Sequence, residues 1–338
     1  MPLEIDMLSV GDANAIIIRA QEGEAEQVIV VDGGNSSDGQ VVIDHLEMWT
    51  TRKNCVDLLI STHPDADHIN GLHPIVKNLD IKNVWIHDPF QHENNVKALI
   101  RELWSSSSYA IREAAKSLDS SLGLITLIDQ KSIPRTEPFA GKTYSLLDGG
   151  VLTVLGPTED YYEDLLANMK QRAEKAIQEE LLDQITELRT TKNVATARQL
   201  LDRANDNTPS NNSSVIFTIT YGFLTYLFTA DAGPLALEKA RELFPKEMKN
   251  VFWLQVPHHG SRKSLTCDLI DCIHPKLAFI SANGTSQHHP DRSVVEVLKE
   301  LGSKVYSTSK TGTIHHANPF ALREGYSPAQ ELELSDLV

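Results

Sequence analysis

The sequence has 338 residues, enough for one large domain or two ordinary ones, and its apolar and charged fractions are those of a soluble globular protein. Its 31 basic and 46 acidic side chains give a formal net charge of −15, which argues against a broad surface that binds the phosphates of duplex nucleic acid. This charge is compatible with a local basic groove, or with a metal centre that carries positive charge itself.

Cysteine usage and the terminal segment bear on the cellular compartment. The three cysteines, Cys55, Cys267 and Cys272, form no CxxC pair, and their odd number argues against a disulfide framework. The first residues have neither a basic segment nor a long apolar one, so we expect no signal peptide. No run free of charge reaches membrane-spanning length. We therefore expect a soluble cytoplasmic protein of the bacterial type.

Strands separated by polar turns and helices dominate the first half of the chain. Apolar or alternating runs predict strands, and apolar residues three or four apart predict helices. The predicted strands cover residues 3–8, 14–19, 27–31, 56–60, 84–86, 124–128 and 152–155. The predicted helices cover residues 41–50 and 92–118, with the serine run at 105–108 as a candidate break in the second.

Residues 159–204 differ from the rest because they are rich in Glu, Lys, Gln, Ala and Leu, with apolar residues at helical spacing. We predict a helical insertion between two strands, with its second helix over about 193–204, and we favour a structural or oligomerisation role over that of a lid. Strands are then expected at 215–220, 224–229, 251–256, 277–281, 304–306 and 312–315, and helices at 234–244, 265–273 and 291–301. The acidic tail, at about 324–338, is expected to be loosely held.

Residues 61–72 read STHPDADHINGL and place four potential metal ligands, His63, Asp65, Asp67 and His68, within six positions after an apolar strand. Buried carboxylates this close together repel each other unless a cation neutralises them. We therefore predict a metal-binding loop here instead of a polar surface loop.

Other candidate ligands also follow apolar strands. Asp32 comes after the third strand, Asp231 after the strand at 224–229, and the pair His258-His259 after the strand at 251–256. If these strands lie in sheets, their ends can meet at one edge and form a single site. The sequence contains no GxSxG motif, Walker loop or dinucleotide fingerprint, so serine nucleophiles and nucleotide-powered chemistry are poor alternatives.

The loop resembles the HxHxDH signature of the metallo-β-lactamase superfamily, with Asp65 in place of the second His. The stretch THPDADHINGL is similar to the C-terminal metallohydrolase domain of the ComEC competence proteins and their stand-alone relatives. One departure is Ala230, where family members usually have Gly. Further stretches resemble that domain in chain order at residues 10–13, 31–34, 211–215, 227–231, 257–261, 281–290 and 311–314.

The resemblance implies an α/β (α+β) fold, a four-layer αββα sandwich of the metallo-β-lactamase type with a helical insertion, over a single domain at 1–338. It also implies two divalent ions that activate a water molecule. His63 and Asp65 would hold one ion, Asp67 and His68 the other, and Asp231 would bridge them. Because carboxylate ligands suit harder cations than imidazole does, Mn²⁺ stands beside Zn²⁺, and Mg²⁺ is a third candidate.

The remaining assignments from the resemblance leave alternatives open. It does not decide which residue of the His258-His259 pair binds metal; our working hypothesis gives the metal to His258 and a catalytic role to His259, beside Asp67. Asn212 stands where much of the superfamily has another His and is a weak candidate ligand. Asp32 is expected to orient a ligand His through its ring N–H, or else to bind metal itself.

The expected substrate is a phosphodiester, either flexible or single-stranded DNA or a small nucleotide. Arg262 and Lys263 could meet an anionic substrate or lie in a solvated loop. His288 and His289 could bind a phosphate oxygen or donate a proton, or could be ordinary surface residues. The alternative functions are a hydrolase of a lactone, thioester, β-lactam or other small ester or amide, and a non-catalytic protein that binds partners through the 159–204 helices.

Overall fold

Short apolar strands, many built from the β-branched residues that favour extended backbone, form most of the core of this chain. The computed structural model describes residues 3–92, 96–172, 175, 196–284, 289–318 and 322–337. The strands are β1 (Leu3–Met7), β2 (Ile16–Glu22), β3 (Ala25–Val31), β4 (Cys55–Val56), β5 (Leu58–Ile60), β6 (Asp80–Ile81), β7 (Val84–Trp85), β8 (Arg135–Thr136), β9 (Thr143–Ser145), β10 (Val151–Gly156), β11 (Ile216–Tyr221), β12 (Leu224–Phe228), β13 (Trp253–Gln255), β14 (Leu277–Ile280), β15 (Lys304–Ser307) and β16 (Ile314–Asn318).

The described strands build two mixed seven-stranded sheets with related layouts. The first has the order β16-β1-β2-β3-β5-β7-β8, antiparallel from β16 to β3 and parallel from β3 to β8. The second has the order β15-β14-β13-β12-β11-β10-β9, parallel from β15 to β12 and antiparallel onward. Strands β4 and β6 form a separate parallel pair.

Helices cover the outer faces of both sheets. The described α-helices are α1 (Asp38–Trp49), α2 (Ala66–Ile69), α3 (Leu72–Asn78), α4 (Pro89–His92), α5 (Val96–Trp104), α6 (Tyr109–Gln130), α7 (Glu159–Ala167), α8 (Ala197–Leu201), α9 (Pro209–Asn212), α10 (Pro234–Leu243), α11 (Cys267–Ile273), α12 (Arg292–Glu300) and α13 (Thr308–Thr311). Three short 3₁₀ turns cover Leu147–Gly149, His258–Gly260 and Leu334–Asp336. No helix in the described ranges combines the length and the apolar character needed to cross a membrane.

The alternation of side chains along β2 shows how the layers stack. Ile16 and Ile18 belong to a core between the sheets that also contains Phe217 and Phe228 of the second sheet. Ile17 points the other way, into a core shared with the helices α1, α3 and α6. A third core joins the second sheet to α10, α11 and α12. The predicted four-layer αββα sandwich is confirmed.

One predicted strand is wrong, since residues 124–128 lie in the last turns of the 22-residue helix α6. Leu118, Leu124, Ile125 and Ile128 are buried, which is the three- and four-residue spacing of a helix face. A short apolar run alone does not distinguish a strand from a buried helix segment. The predicted break at the serine run is present, because α5 ends at Trp104 and α6 begins at Tyr109.

The insertion between β10 and β11 is described only in part. Helix α7 and helix α8, which carries a capping box between Thr196 and Gln199, fall inside the predicted helical range. Residues 173–174 and 176–195 lie outside the described residues, and with them most of the predicted helical stripe. The proposed use of these helices in oligomerisation stays a prediction.

The acidic tail is held in place, contrary to expectation. Leu332 is 1% exposed, and its backbone N–H donates to the carbonyl of Val305 at 2.8 Å. The Lys299 ammonium lies 3.0 Å from Glu331 and 3.1 Å from Glu333. The buried Leu332 and the ion pairs of Lys299 therefore hold this segment against the fold, although its acidic composition predicted a solvent-exposed tail.

Candidate metal centre

The ends of parallel strands bring the candidate ligands to one edge of the sandwich. In the first sheet, β3 ends before Asp32 and its neighbour β5 ends before the loop that carries His63 and His68. In the second sheet, β12 ends before Asp231 and its neighbour β13 ends before His258. Neighbouring parallel strands end at the same edge, so these loops meet there.

Backbone hydrogen bonds connect the loops around the centre, both between the two sheets and within the second sheet. The backbone N–H of Val215 donates to the carbonyl of Thr62 at 3.0 Å, and that of His258 donates to the carbonyl of Ala230 at 3.0 Å. Gly71 packs directly on the turn after β3, where a Cβ added to it would lie 1.8 Å from the carbonyl oxygen of Gly33. The histidine loop can approach that turn only because both residues lack side chains.

Four non-glycine residues of the centre adopt left-handed backbone conformations. The φ angles are 59° at Asp32, 46° at Ala230, 49° at His258 and 53° at His259. Such angles are uncommon for residues other than glycine and are concentrated at functional sites. They also explain why a glycine is favoured at the position of Ala230.

Two histidines have their Nδ1 atoms fixed by acceptors that cannot donate. His68 Nδ1 donates to Asp32 Oδ2 at 2.7 Å, and His259 Nδ1 donates to the carbonyl oxygen of Ser281 at 2.9 Å. Because carboxylates and carbonyls only accept, Nδ1 carries a proton in both rings, and Nε2 is directed into the centre. His68 Nε2 lies 3.1 Å from Asp231 Oδ1, and His259 Nε2 lies 3.8 Å from Asp231 Oδ2.

The rings of His63 and His258 are also held at Nδ1 and directed toward the centre at Nε2. His63 Nδ1 lies 3.1 Å from the hydroxyl of Thr62, and its Nε2 lies 3.7 Å from Asp65 Oδ2. His258 Nδ1 donates to Asp206 Oδ2 at 3.1 Å, and its Nε2 lies 3.8 Å from Asp231 Oδ2. A ligand histidine in a metal site shows this pattern, with one nitrogen anchored and the other aimed at the metal.

Several buried polar atoms at the centre lack a hydrogen bond in the structure. His63 Nε2, His68 Nε2 and Asp231 Oδ1 are all buried without one, and the 3.1 Å between the last two is not aligned as a hydrogen bond. A buried polar group without a partner costs roughly 1–3 kcal/mol. Three such atoms in one buried cluster are therefore typical of a site that binds a cation.

Asp67, His68, Asp231 and His259 form the larger of two candidate ligand sets among the described residues; the other, His92, Glu159 and Glu163, contains two exposed glutamates. One ligand atom from each lies within 4.8 Å of all the others. Two imidazole nitrogens and two carboxylate oxygens suit Zn²⁺ and also harder ions such as Mn²⁺. The residues therefore fit a divalent ion, and Asp231, with two oxygens, can also face His63 and Asp65.

The carboxyl of Asp65 is anchored by two hydroxyls. Ser117 donates to its Oδ1 at 2.8 Å from helix α6, and Ser210 donates to its Oδ2 at 3.1 Å from helix α9. Burial raises the pKa of Asp65, and the neighbouring charge of Asp67 adds to this while His63 opposes it. Asp65 is thus a preformed but crowded carboxylate, which a cation would stabilise in its ionised form.

The electrostatics of His68 and His258 show an excess of negative charge around these two rings. Burial alone would lower the pKa of His68, but Asp231 and Asp32 on either side raise it well above its usual value. Burial likewise opposes a raised pKa in His258, which Asp231 and Asp206 nevertheless bring to about 9. In the metal-free protein these rings therefore attract protons, and a divalent cation would compete for the same lone pairs.

The structure distinguishes the two residues of the His258-His259 pair. The working hypothesis gave the metal to His258, whereas the compact ligand set contains His259, with Nε2 3.3 Å from Asp67 Oδ2. His258 also faces Asp231, but it does not belong to that set. The order along the chain could not reveal this difference, because it depends on the turn at Pro257 and the left-handed backbone that follows.

The side chain of Asn212, a weak candidate ligand from the resemblance, is hydrogen-bonded to neighbouring backbone groups. Its amide nitrogen donates to the carbonyls of Asp206 and Thr208 at 2.8 and 3.0 Å, and its amide oxygen accepts from the backbone of Ala236 at 3.3 Å. The side chain is consumed in joining three segments. Asp32 takes the expected supporting place behind His68.

The candidate substrate residues lie beside the centre to different degrees. The ring of His289 lies 5.4 Å from that of His258 and 5.8 Å from that of His259. Burial and the charges of these two rings lower the pKa of His289 to about 4, so it is neutral near pH 7. Arg262 and Lys263 follow the His258–Gly260 turn and are half-buried. His288 lies outside the described residues.

Sequence reasoning missed Asp206, Ser117 and Ser210. Each contacts a candidate ligand, yet none belongs to a motif or follows a strand of the same sheet edge. Asp206 lies in the polar stretch Asn205-Asp206-Asn207, which reads as a plain loop. Only the three-dimensional arrangement shows these contacts.

Comparison with known proteins agrees with this geometry. Residues 8–119 match the family model described as the metallo-beta-lactamase superfamily. The matched range is about a third of the chain. It contains Asp32 and the His63–His68 loop, so the resemblance expected from the sequence is confirmed.

Two curated relatives match about a third of the chain. ComE operon protein 3 of Bacillus subtilis is 31% identical over 118 residues, which are 35% of this chain and 15% of that protein. Recombination protein 2 of Haemophilus influenzae is 30% identical over 118 residues, which are 34% of this chain and 14% of that protein. The matched part of the chain thus spans only about a seventh of either relative's length.

Solved structures are similar over longer ranges at low identity. The metallo-beta-lactamase fold protein YhfI of Bacillus subtilis is 10% identical, with a TM-score of 0.46 over 94% of this chain and 100% of that chain. The E377D mutant of CmlA beta-hydroxylase is also 10% identical, with a TM-score of 0.46 over 93% of this chain and 53% of that chain.

Proposed function

We propose that this chain is a metal-dependent phosphodiesterase that cleaves flexible or single-stranded DNA or a small nucleotide. The observation that carries the proposal is the compact set of Asp67, His68, Asp231 and His259, whose ligand atoms lie within 4.8 Å of one another. His63 and Asp65, whose Nε2 and Oδ2 atoms lie 3.7 Å apart, would supply a second, smaller group that shares the carboxylate of Asp231. A dinuclear centre of Zn²⁺ or Mn²⁺, with Mg²⁺ as a further candidate, fits this donor set.

The proposed substrate class has two supports. The first is that three residues, Asp65, Asp67 and Asp231, contribute carboxylates to the centre. Oxygen-rich sites favour the hard cations that many phosphodiester-cleaving sites use. One curated relative is named a recombination protein, and recombination acts on DNA. The formal charge of −15 favours a small footprint on the substrate over a broad one.

The exposure of the side chains sets the direction from which a substrate arrives. Asp231 and His68 are 4% and 0% exposed, whereas Asp67 and His258 are 34% and 26% exposed. When bound, the divalent ions would lower the pKa of a water molecule and stabilise negative charge that develops on the phosphate. Asp231 and the buried histidines then hold the floor of the site, and Asp67, His258 and His289 line its open side.

In this proposal the chain's own residues have separate tasks. Asp67 and His259 act at the centre as ligands, and the more exposed Asp67 also borders the substrate. The neutral ring of His289 is placed to hydrogen-bond a phosphate oxygen, and Arg262 and Lys263 lie one turn away, where they would meet the anionic backbone. The substrate role of His288 stays a prediction. The single-domain organisation and the cytoplasmic location also stay predictions.

A cleavage assay tests the function. The purified chain is stripped with a chelator, reloaded with Mn²⁺, Zn²⁺ or Mg²⁺, and assayed on single-stranded DNA, duplex DNA, RNA and bis-p-nitrophenyl phosphate. We expect metal-dependent cleavage that Asp231→Ala abolishes and that the exposed-site control Asp268→Ala retains. Cleavage of lactones or thioesters in place of every phosphodiester, or full activity of Asp231→Ala, would reject the proposal.

A further inference from the structure

Asp206 lies directly behind His258, on the segment that follows helix α8. Its Oδ2 accepts the Nδ1–H of His258 at 3.1 Å, and its side chain is 5% exposed. Because a carboxylate only accepts, the contact places the ring proton on Nδ1 and leaves the Nε2 lone pair facing Asp231 Oδ2 at 3.8 Å. Asp32 has the same relation to His68.

Asp206 is itself held more firmly than a loop residue needs to be. Its Oδ1 accepts from the backbone of Thr208 at 3.0 Å, and its Oδ2 also accepts from the amide of Asn211 at 2.8 Å. Its backbone N–H donates to the carbonyl of Lys263 at 3.0 Å, just beyond the histidine pair. A Cβ added to Gly233 would lie 2.4 Å from the Asp206 carbonyl, so the helix after Asp231 packs on the same residue.

This arrangement supplies what the centre otherwise lacks. Asn212 cannot stand in for a third histidine near His63, because its amide is bonded within the Asp206 segment. His258 is an oriented imidazole outside the compact ligand set, and it faces the second oxygen of the shared carboxylate Asp231. Both histidines of the pair therefore present Nε2 to the same oxygen, Asp231 Oδ2, at 3.8 Å each.

We infer that Asp206 is a positioning residue for metal binding, which holds His258 so that His258 and His259 both contribute a ligand nitrogen. The inference rests on the metal centre of the proposed function. It also links the helical insertion to the site, since α8 ends five residues before Asp206 and Arg198 of α8 is paired with Asp271 and Glu300 of the second sheet's helices.

Metal affinity tests the inference without any substrate. Calorimetric titration of the chelator-stripped chain with Zn²⁺ and with Mn²⁺ compares the unmutated chain, Asp206→Ala, His258→Ala, the double variant and the control Asp268→Ala. Loss of a hydrogen-bond partner behind a ligand histidine weakens metal binding by about 10–100-fold. We expect that loss in Asp206→Ala, unchanged affinity in Asp268→Ala, and no further loss when Asp206→Ala is added to His258→Ala.

Two results would overturn the inference. One is an Asp206→Ala affinity within about twofold of the unmutated chain, which is also the result expected if His258 contacts only the substrate. The other is a loss of the same size in the His258→Ala background, which would show that Asp206 acts elsewhere. If Asp206→Ala does not fold by circular dichroism, Asp206→Asn replaces it, with weaker binding expected and unchanged binding contradicting the inference.

The same titration separates this inference from the proposed function. An unmutated chain that binds no divalent ion rejects the metal centre and the inference together. An unmutated chain that binds metal and cleaves phosphodiesters, with Asp206→Ala binding equally well, rejects the inference alone. Metal binding that depends on Asp206, without cleavage of any phosphodiester, rejects the proposed substrate class and supports the inference.

Discussion

Replacing Asp32 with Asn should damage both the stability of the fold and the metal affinity of the centre. Asp32 is fully buried and its carboxylate accepts four hydrogen bonds, from the backbone and hydroxyl of Thr62, from Asn14 and from His68 Nδ1. An amide of the same shape keeps one oxygen and turns two donors toward the donors already there. At least one of the four is then left without an acceptor.

The magnitude follows from these contacts. Hydrogen bonds to a charged group contribute roughly 1.5–3 kcal/mol and neutral ones roughly 0.5–1.5 kcal/mol, so three retained bonds lose about 3 kcal/mol together. One buried donor without an acceptor adds about 1–3 kcal/mol. Asp32→Asn should therefore lower the free energy of unfolding by about 4–6 kcal/mol. It should also weaken metal binding by about 10–100-fold, because a neutral amide oxygen holds the Nδ1 proton of His68 less strongly than a carboxylate does.

Urea unfolding of the metal-free chain measures the first effect, and calorimetric titration with Zn²⁺ measures the second. The matched control is Asp44→Asn on the exposed face of α1, where the carboxylate bonds only Gln40 among the contacts seen. This control should change the free energy of unfolding by less than about 0.5 kcal/mol. An Asp32→Asn chain with unchanged metal affinity would refute the supporting role of Asp32.

Two further predictions concern the scaffold. Gly71→Ala should destabilise the chain by about 3 kcal/mol or more, since the new Cβ would overlap the backbone oxygen of Gly33, and a fully native urea midpoint would contradict this. Burial tends to raise the pKa of Asp6, but hydrogen bonds from His315 and His45 lower it from 3.8 to about 2. The ionised carboxylate therefore contributes about 2 kcal/mol to the free energy of unfolding. This contribution is present above pH 4 and is lost as the pH falls through 2. Asp6→Asn should thus be less stable at pH 7 and lose less stability between pH 4 and pH 2 in acid titrations followed by circular dichroism; parallel stability curves would contradict this.

The sandwich and the ligand loop could be predicted because both depend on local patterns. Apolar runs ending in polar residues gave the strand ends, and parallel neighbours carried Asp32, the histidine loop and Asp231 to one edge. The strand predicted at 124–128 failed because its apolar residues suit a helix face equally well. The docked tail failed because composition does not show that Leu332 finds a site beside β15.

The finer features of the centre could not be predicted, since they depend on contacts between distant segments. The roles of His258 and His259 follow from a left-handed turn and from partners 52 and 22 residues away, Asp206 and the carbonyl of Ser281. A motif records which residues are present in order, but not which nitrogen of a ring is anchored. Asn212 shows that position in a motif is not enough to identify a ligand, because its amide is hydrogen-bonded to the carbonyl of Asp206.

The partners of Asp65 show that its place in the signature is built into the surrounding structure. His63, His68, His258 and His259 each have an acceptor beside Nδ1, which directs Nε2 into the candidate centre. Asp65 instead meets two hydroxyl donors, Ser117 and Ser210, from separate helices. Both carboxylate oxygens of Asp65 are thereby bonded and oriented. The placement of this carboxylate is therefore a property of three segments acting together, and under the proposed function it would favour hard cations.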